Sequence, residues 1–122
     1  RLPELGLVGE PVPCRPAAVV HALEQHRIPV VSPIAVGPLN VNADEAAAAL
    51  AAGLGADRVA FVSDVPGVYV EGAVVGRLHV DDADTLLDSG AFDGGIVPKL
   101  LAATRVARLG IRAEIGETAV VA

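Results

Sequence analysis

The sequence predicts an α/β domain built on a mainly parallel sheet. Three observations carry that expectation. Apolar β-branched runs alternate with helical segments in the order helix, strand, helix, strand, and this alternation is the signature of parallel strands joined by right-handed crossovers. Hydrophobic residues make up 52% of the chain and aromatics only 2%, so the core is assembled from Ala, Val, Leu and Ile, which suits helices seated closely on a sheet. The length of 122 residues is enough for one compact unit with its own core.

The elements follow in order. The opening dozen residues, with LGLVGEPVP, read as a small hairpin. PAAVVHALEQH (16–26) begins with proline at a first helical position and reads as a helix. IPVVSPIAV (28–36) is almost continuously apolar, as a strand covered on both faces is. NADEAAAALAAGLG (42–55) is a helix with capping-box spacing between Asn42 and Glu45 and a glycine stop at Gly53 or Gly55. RVAFVSDV (58–65) is a second buried strand. GVYVEGAVVGRL (67–78) reads as a hairpin turning at Glu71-Gly72. Asp81, Asp82 and Asp84 suit the start of a short helix reaching about Ser89. Pro98–Leu109 forms a longer helix closed by Gly110, and IRAEIG with TAVVA forms a final strand pair.

Bulk properties narrow the function. The formal net charge of −6 argues against nucleic acid or an acidic membrane as partner, and an anionic ligand has to be held by local groups. Cys14 is the single cysteine, so no disulfide framework or thiolate metal cluster is expected, and a cytoplasmic setting fits. No apolar run is long enough to span a bilayer, and the N-terminus does not read as a signal peptide. The chain has no methionine, which makes Arg1 an implausible native start and suggests a portion of something longer.

Three stretches have the residue types of a reactive site. GGIVPK (94–99) holds the only lysine, just where a helix begins. A cation there opposes the helix dipole, at a cost of about 0.3–1 kcal/mol unless an anion compensates. Glycines allow close backbone approach, and free amides at a helix start form an anion site; a plain cap with a solvated lysine accounts for the same residues. LNVNAD (39–44) holds both asparagines of the chain beside an aspartate, after an apolar strand, where ligands bind in open α/β sheets. Asn42 reads first as a helix cap; Asn40 and Asp44 are less well explained by capping, and Asp44 could orient a lysine. SDVPGVY (63–69) is either an ordinary Pro-Gly turn or a loop gripping a nucleotide base. His21, His26 and His79 lack zinc-motif spacing, and no metal site is expected. Walker-type, GxSxG and strand-linked GxGxxG motifs are absent.

Taken together, LGLVGE, IPVVSPIAVG, NVNADEAAAALAAGLGA, VAFVSDVPGVY and GGIVPK resemble, in order and spacing, the acetylglutamate kinases of the amino acid kinase fold. The resemblance covers about residues 5 to 110. It implies a three-layer, carbamate kinase-like α/β sandwich, here incomplete. Residues 1–37 would close an amino-acid-substrate domain, and 38–122 would form the nucleotide-binding domain. The implied reaction transfers the γ-phosphoryl group of ATP, bound with Mg2+, to the side-chain carboxylate of N-acetyl-L-glutamate in arginine biosynthesis. By position Lys99 resembles the lysine that steadies the transferring group, and Asp44 the aspartate that organises catalytic lysines. Asn40, with Asn42 beside it, resembles the substrate-binding asparagine. Ser63, Asp64, Val65, Pro66, Gly67, Val68 and Tyr69, with Ala91, Phe92, Asp93, Gly94 and Gly95, resemble the nucleotide-binding loops.

The chemistry suits those residues. A carboxylate acceptor is already ionised at neutral pH, so no general base is required. The task is to bring two anions together and neutralise charge spread over phosphoryl oxygens. The family's N-terminal glycine-rich loop, its second catalytic lysine and its substrate-binding arginine are not in this sequence, and the residues after Gly110 are shorter than the family's closing elements. The expectation is therefore a nucleotide-binding half, nearly inactive alone, of a homo-oligomeric parent. Two alternatives stand beside it: a kinase of the same family acting on aminoadipate or glutamate linked to a carrier protein, and a non-catalytic nucleotide- or effector-binding module.

Overall fold

A computed structural model describes residues 11–35 and 39–122. The expected N-terminal hairpin lies almost entirely outside them. Helix α1 spans Ala17–Glu24, with Pro16 as its N-cap rather than its first residue (φ −62°, ψ 132°). Strands β1 (Ile34–Ala35) and β2 (Leu39–Asn40) pair antiparallel. Helix α2 covers Ala43–Leu54; Asn42 Oδ1 accepts from the Asp44 and Glu45 amides, and Gly55 ends the helix at φ +64°. Both signals come straight from the sequence, because a short polar side chain satisfies orphan amides and only glycine enters the left-handed region freely.

Strand β3 is Arg58–Phe61. Next, β4 (Tyr69–Val70) and β5 (Ala73–Val74) form a hairpin. Its turn has positive φ at both Glu71 (53°) and Gly72 (82°), the primed geometry whose twist matches that of the strands. A further strand, β6 (Arg77–His79), leads directly into α3 (Val80–Asp88), where His79 Nδ1 accepts from the Asp81 amide. Helix α4 spans Ile96–Arg108. It starts two residues before Pro98, which is compatible with proline because the first-turn amides have no intrahelical partner. Strands β7 (Arg112–Ile115) and β8 (Thr118–Val121) close the fold.

The principal sheet has the order β3-β7-β8-β6. The β3–β7 and β6–β8 pairs are parallel and β7–β8 is antiparallel, so the mainly parallel α/β expectation is met. Phe61, Ala113, Ile115, Val120 and Leu78 share one face and are buried beneath α2, α4 and α3. The opposite face carries Arg58, Ala60, Arg112, Glu114 and Ala119, exposed or half-buried. Alanines at the α2–α4 contact (Ala48, Ala51, Ala103, Ala107) are nearly inaccessible, which lets the two backbones approach closely. Leu100, Val106 and Ile115 are fully buried and contribute about 1.5–3 kcal/mol each.

Two strand expectations need correction. Residues 28–33 have no strand structure, and Ile28 and Val30 are 92% and 96% exposed. A β-branched run has the propensity for a strand, but propensity largely measures packing on neighbours, and among the described residues only Ile34–Ala35 at the end of the run pairs with another strand, β2. RVAFVSDV is a strand only through Phe61; β3 is an edge strand, covered on one face, and Val62 beyond it is exposed. The domain boundary expected after residue 37 falls on residues outside those described.

Candidate functional site

Strand β3 runs parallel to β7, and the chain leaving its carboxyl end forms one wall of an open cleft of about 700 Å³. This is the edge of a parallel sheet where ligands bind. Ser63, Asp64, Val65, Gly67 and Tyr69 line the cleft on that side. Ala91, Phe92 and Asp93, with Gly95, Ile96 and Lys99, line it from the loop and first turn of α4. Two stretches about thirty residues apart in sequence are thus brought to one cavity.

The α4 side is formed by local backbone preferences. Gly94 has φ +65° and its carbonyl accepts from the Val97 amide at 3.3 Å, which starts the helix. Pro98 has no N–H to offer. The Gly95 and Ile96 amides, both in residues lining the cleft, pair with no backbone carbonyl among the described residues. The positive end of the α4 dipole therefore lies at a cleft whose lining also includes Lys99.

Lys99 Nζ donates to Asp44 Oδ2 at 3.3 Å, joining α4 to the start of α2. The two side chains are only 20% and 16% exposed. Asp44 is the anion that offsets the unfavourable position of Lys99 on its dipole. Lys99 lines the cleft and Asp44 does not, so the carboxylate holds a side chain that reaches the cleft, without lining the cleft itself.

The other sequence-expected residues are arranged unequally. Asn42 spends its Oδ1 on the α2 cap. Asn40 is exposed on β2 opposite Ile34, and neither asparagine lines the cleft. Val68 is fully buried. Its amide donates to Thr118 Oγ1 and its carbonyl accepts from the Val75 amide, so it shapes the loop and does not line the cavity. Pro66 and Gly94 likewise hold the loops from outside the lining. Sequence reasoning did not single out Val62 and Ile96, which line the cleft; both are apolar neighbours of residues it did single out. Among the described residues no helix is long and apolar enough to cross a membrane, and no cluster of three or more metal-ligating side chains occurs.

The amino acid kinase family matches residues 4–117. The chain belongs to that family. Acetylglutamate kinase of Roseiflexus castenholzii is 49% identical over 114 residues, spanning 90% of this chain and 44% of the relative. The corresponding enzyme of Dinoroseobacter shibae is 38% identical over 118 residues, 93% of this chain and 41% of that one. Among solved structures, smu.665 of Streptococcus mutans superimposes with a TM-score of 0.87 at 26% identity, over 95% of this chain and 51% of that protein. This chain thus spans less than half the length of the curated relatives it matches. The α/β architecture described above is that of part of an amino acid kinase.

Proposed function

We propose that residues 38–122 form the nucleotide-binding domain of an acetylglutamate kinase, with residues 1–37 closing its amino-acid-substrate domain. The observation that carries this reading is the convergence of unpaired helix-start amides, Lys99 and the 63–69 loop on one cleft. The polyphosphate of ATP docks against the Gly95 and Ile96 amides. The base end lies toward Val65 and Tyr69. At about 4 Å and an effective dielectric near 20, Lys99 attracts a phosphate charge by roughly 4 kcal/mol before desolvation.

The chain's own residues then act by position and charge. Lys99, held by Asp44, meets the negative charge that spreads over the γ-phosphoryl oxygens, while the amides of the α4 start hold the neighbouring phosphates. Removing one preorganised donor of this kind typically lowers a rate by about 10²–10³. The acceptor, the side-chain carboxylate of N-acetyl-L-glutamate, is ionised at neutral pH and needs no base. Asp64 and Asp93 line the cleft and would be the carboxylates available to a Mg2+ bound with the nucleotide, which would supply further screening of phosphate charge. Asn40 contributes to acceptor binding through β2. The product feeds arginine biosynthesis in the cytoplasm.

The test uses the Roseiflexus castenholzii enzyme, with its matching segment replaced by residues 4–117 of this chain. MgATP and N-acetyl-L-glutamate are supplied and hydroxylamine traps the acyl phosphate. The chimera is expected to yield hydroxamate, and the 122-residue chain alone to yield little or none. Steady turnover by the chain alone contradicts the division of labour proposed here. A folded chimera that binds no ATP contradicts the nucleotide assignment.

A further inference from the structure

The wall of the cleft formed by residues 63–69 has little regular structure of its own, so something else must hold it. The β7–β8 turn does this. Gly116 sits at φ +56°, and a side chain there would meet the Pro66 carbonyl oxygen at 2.2 Å, so turn and loop are in backbone contact. The Glu117 amide donates to that same Pro66 carbonyl at 2.8 Å. Thr118 comes next, with no exposed surface. Its Oγ1 accepts from the Val68 amide at 2.9 Å and donates to the Val75 carbonyl at 2.6 Å. One hydroxyl therefore satisfies a buried donor on the loop and an acceptor beyond the β4–β5 hairpin. Gly67 faces it closely: a Cβ at that position would lie 2.7 Å from Thr118 Oγ1.

From this geometry we infer that Thr118 is a positioning residue for the nucleotide, setting the conformation of the 63–69 wall without touching the ligand. The inference rests on the nucleotide reading of the cleft. Thr118 lies just beyond the stretch matched to the family, and its partners are distant in sequence. A β-branched apolar residue would suit a buried strand position equally well on packing grounds, so the hydroxyl is there for its two hydrogen bonds. Buried polar groups left unpaired are costly, and the loop escapes that cost only by moving its backbone toward water, which disturbs the cleft.

The test compares wild type, Thr118→Val and Thr118→Ser in the 122-residue chain, with MgATP titrated by calorimetry and Val68 amide exchange measured without nucleotide. Thr118→Val is expected to raise Kd about tenfold, equivalent to about 1.4 kcal/mol, and to speed Val68 exchange relative to β7 amides. Thr118→Ser is expected to restore both. If Thr118→Val does not fold, Thr118→Ala removes the same hydroxyl and is expected to weaken binding similarly. Equal affinity in wild type and a folded Thr118→Val, or no rescue by serine, overturns the role of Thr118 alone. No saturable binding of MgATP by wild type overturns it together with the nucleotide reading.

Discussion

Asp44 and Lys99 make a pair whose two halves are predicted to fail differently. At 3.3 Å and an effective dielectric near 20, their attraction is about 5 kcal/mol before desolvation and ordering are subtracted. With a fifth or less of each side chain exposed, the net coupling falls between surface pairs, at about 0–1 kcal/mol, and the loss of about 3–5 kcal/mol when a buried pair is broken. Asp44→Asn leaves a half-buried ammonium on the first turn of α4, where the dipole adds about 0.3–1 kcal/mol of cost. We expect a loss of about 2–3 kcal/mol. Lys99→Met removes that dipole cost, keeps the aliphatic stem's packing, and leaves Asp44 in the first turn of α2, where the dipole favours an anion. Its expected loss is about 0–1 kcal/mol. Urea unfolding followed by circular dichroism reads the difference: with m near 1–3 kcal/mol/M, Asp44→Asn moves the midpoint down by roughly 1 M and Lys99→Met by much less. Nucleotide affinity is expected to rank the variants the other way, with Lys99→Met the weaker binder. A Lys99→Met protein less stable than Asp44→Asn would refute the reasoning.

Gly53 lies inside α2, where glycine-to-alanine changes ordinarily stabilise by about 1 kcal/mol. Here an added Cβ would fall 1.8 Å from the Cys14 carbonyl oxygen, so Gly53→Ala is expected to lower the thermal midpoint. A raised midpoint would show that the segment before α1 does not pack on α2. On the open sheet face, the hydrogen bonds from Arg58 hold the Glu114 carboxyl below its ordinary value near 4.5, against a smaller opposing effect of desolvation. A depressed folded pKa gives stability that is present above the unfolded value and lost as pH falls through the folded one. The stability advantage of wild type over Glu114→Gln is therefore expected to hold at neutral pH and to shrink below about pH 4. A difference independent of pH would exclude the ion pair as its source.

Local signals were legible where a few neighbouring residues settle the geometry. Asn42 with Glu45 marked the start of α2, and of the two glycines that could stop it, Gly53 and Gly55, Gly55 does. Glu71-Gly72 marked the hairpin turn. Pro98 misled by two residues, because proline fits any position of a first turn and does not mark its beginning. The 28–36 run misled because its composition describes a strand with neighbours along its whole length, whereas only Ile34–Ala35 at its end finds one, in β2. Arg77 and Leu78 read as the tail of the 67–78 hairpin, but they belong to β6, whose partner β8 lies some forty residues further along the chain. The cleft follows the same division. Lys99 and the 63–69 loop were visible as unusual residues in unusual places. The Lys99–Asp44 bond and the hold of Thr118 on Val68 join residues 55 and 50 positions apart, separations that no local pattern reports.

The central claim is that a phosphate chain binds at the start of α4, with Lys99 neutralising it. MgATP titrated into the chain, with backbone amide shifts followed by NMR, tests this most directly. The account predicts saturable binding, the largest shifts at Gly95 and Ile96 with further shifts at Val65–Tyr69, and a Kd raised about ten- to hundredfold in Lys99→Met, or about 1.4–2.8 kcal/mol. Unchanged affinity in that variant, or shifts confined to residues away from the cleft, would contradict it.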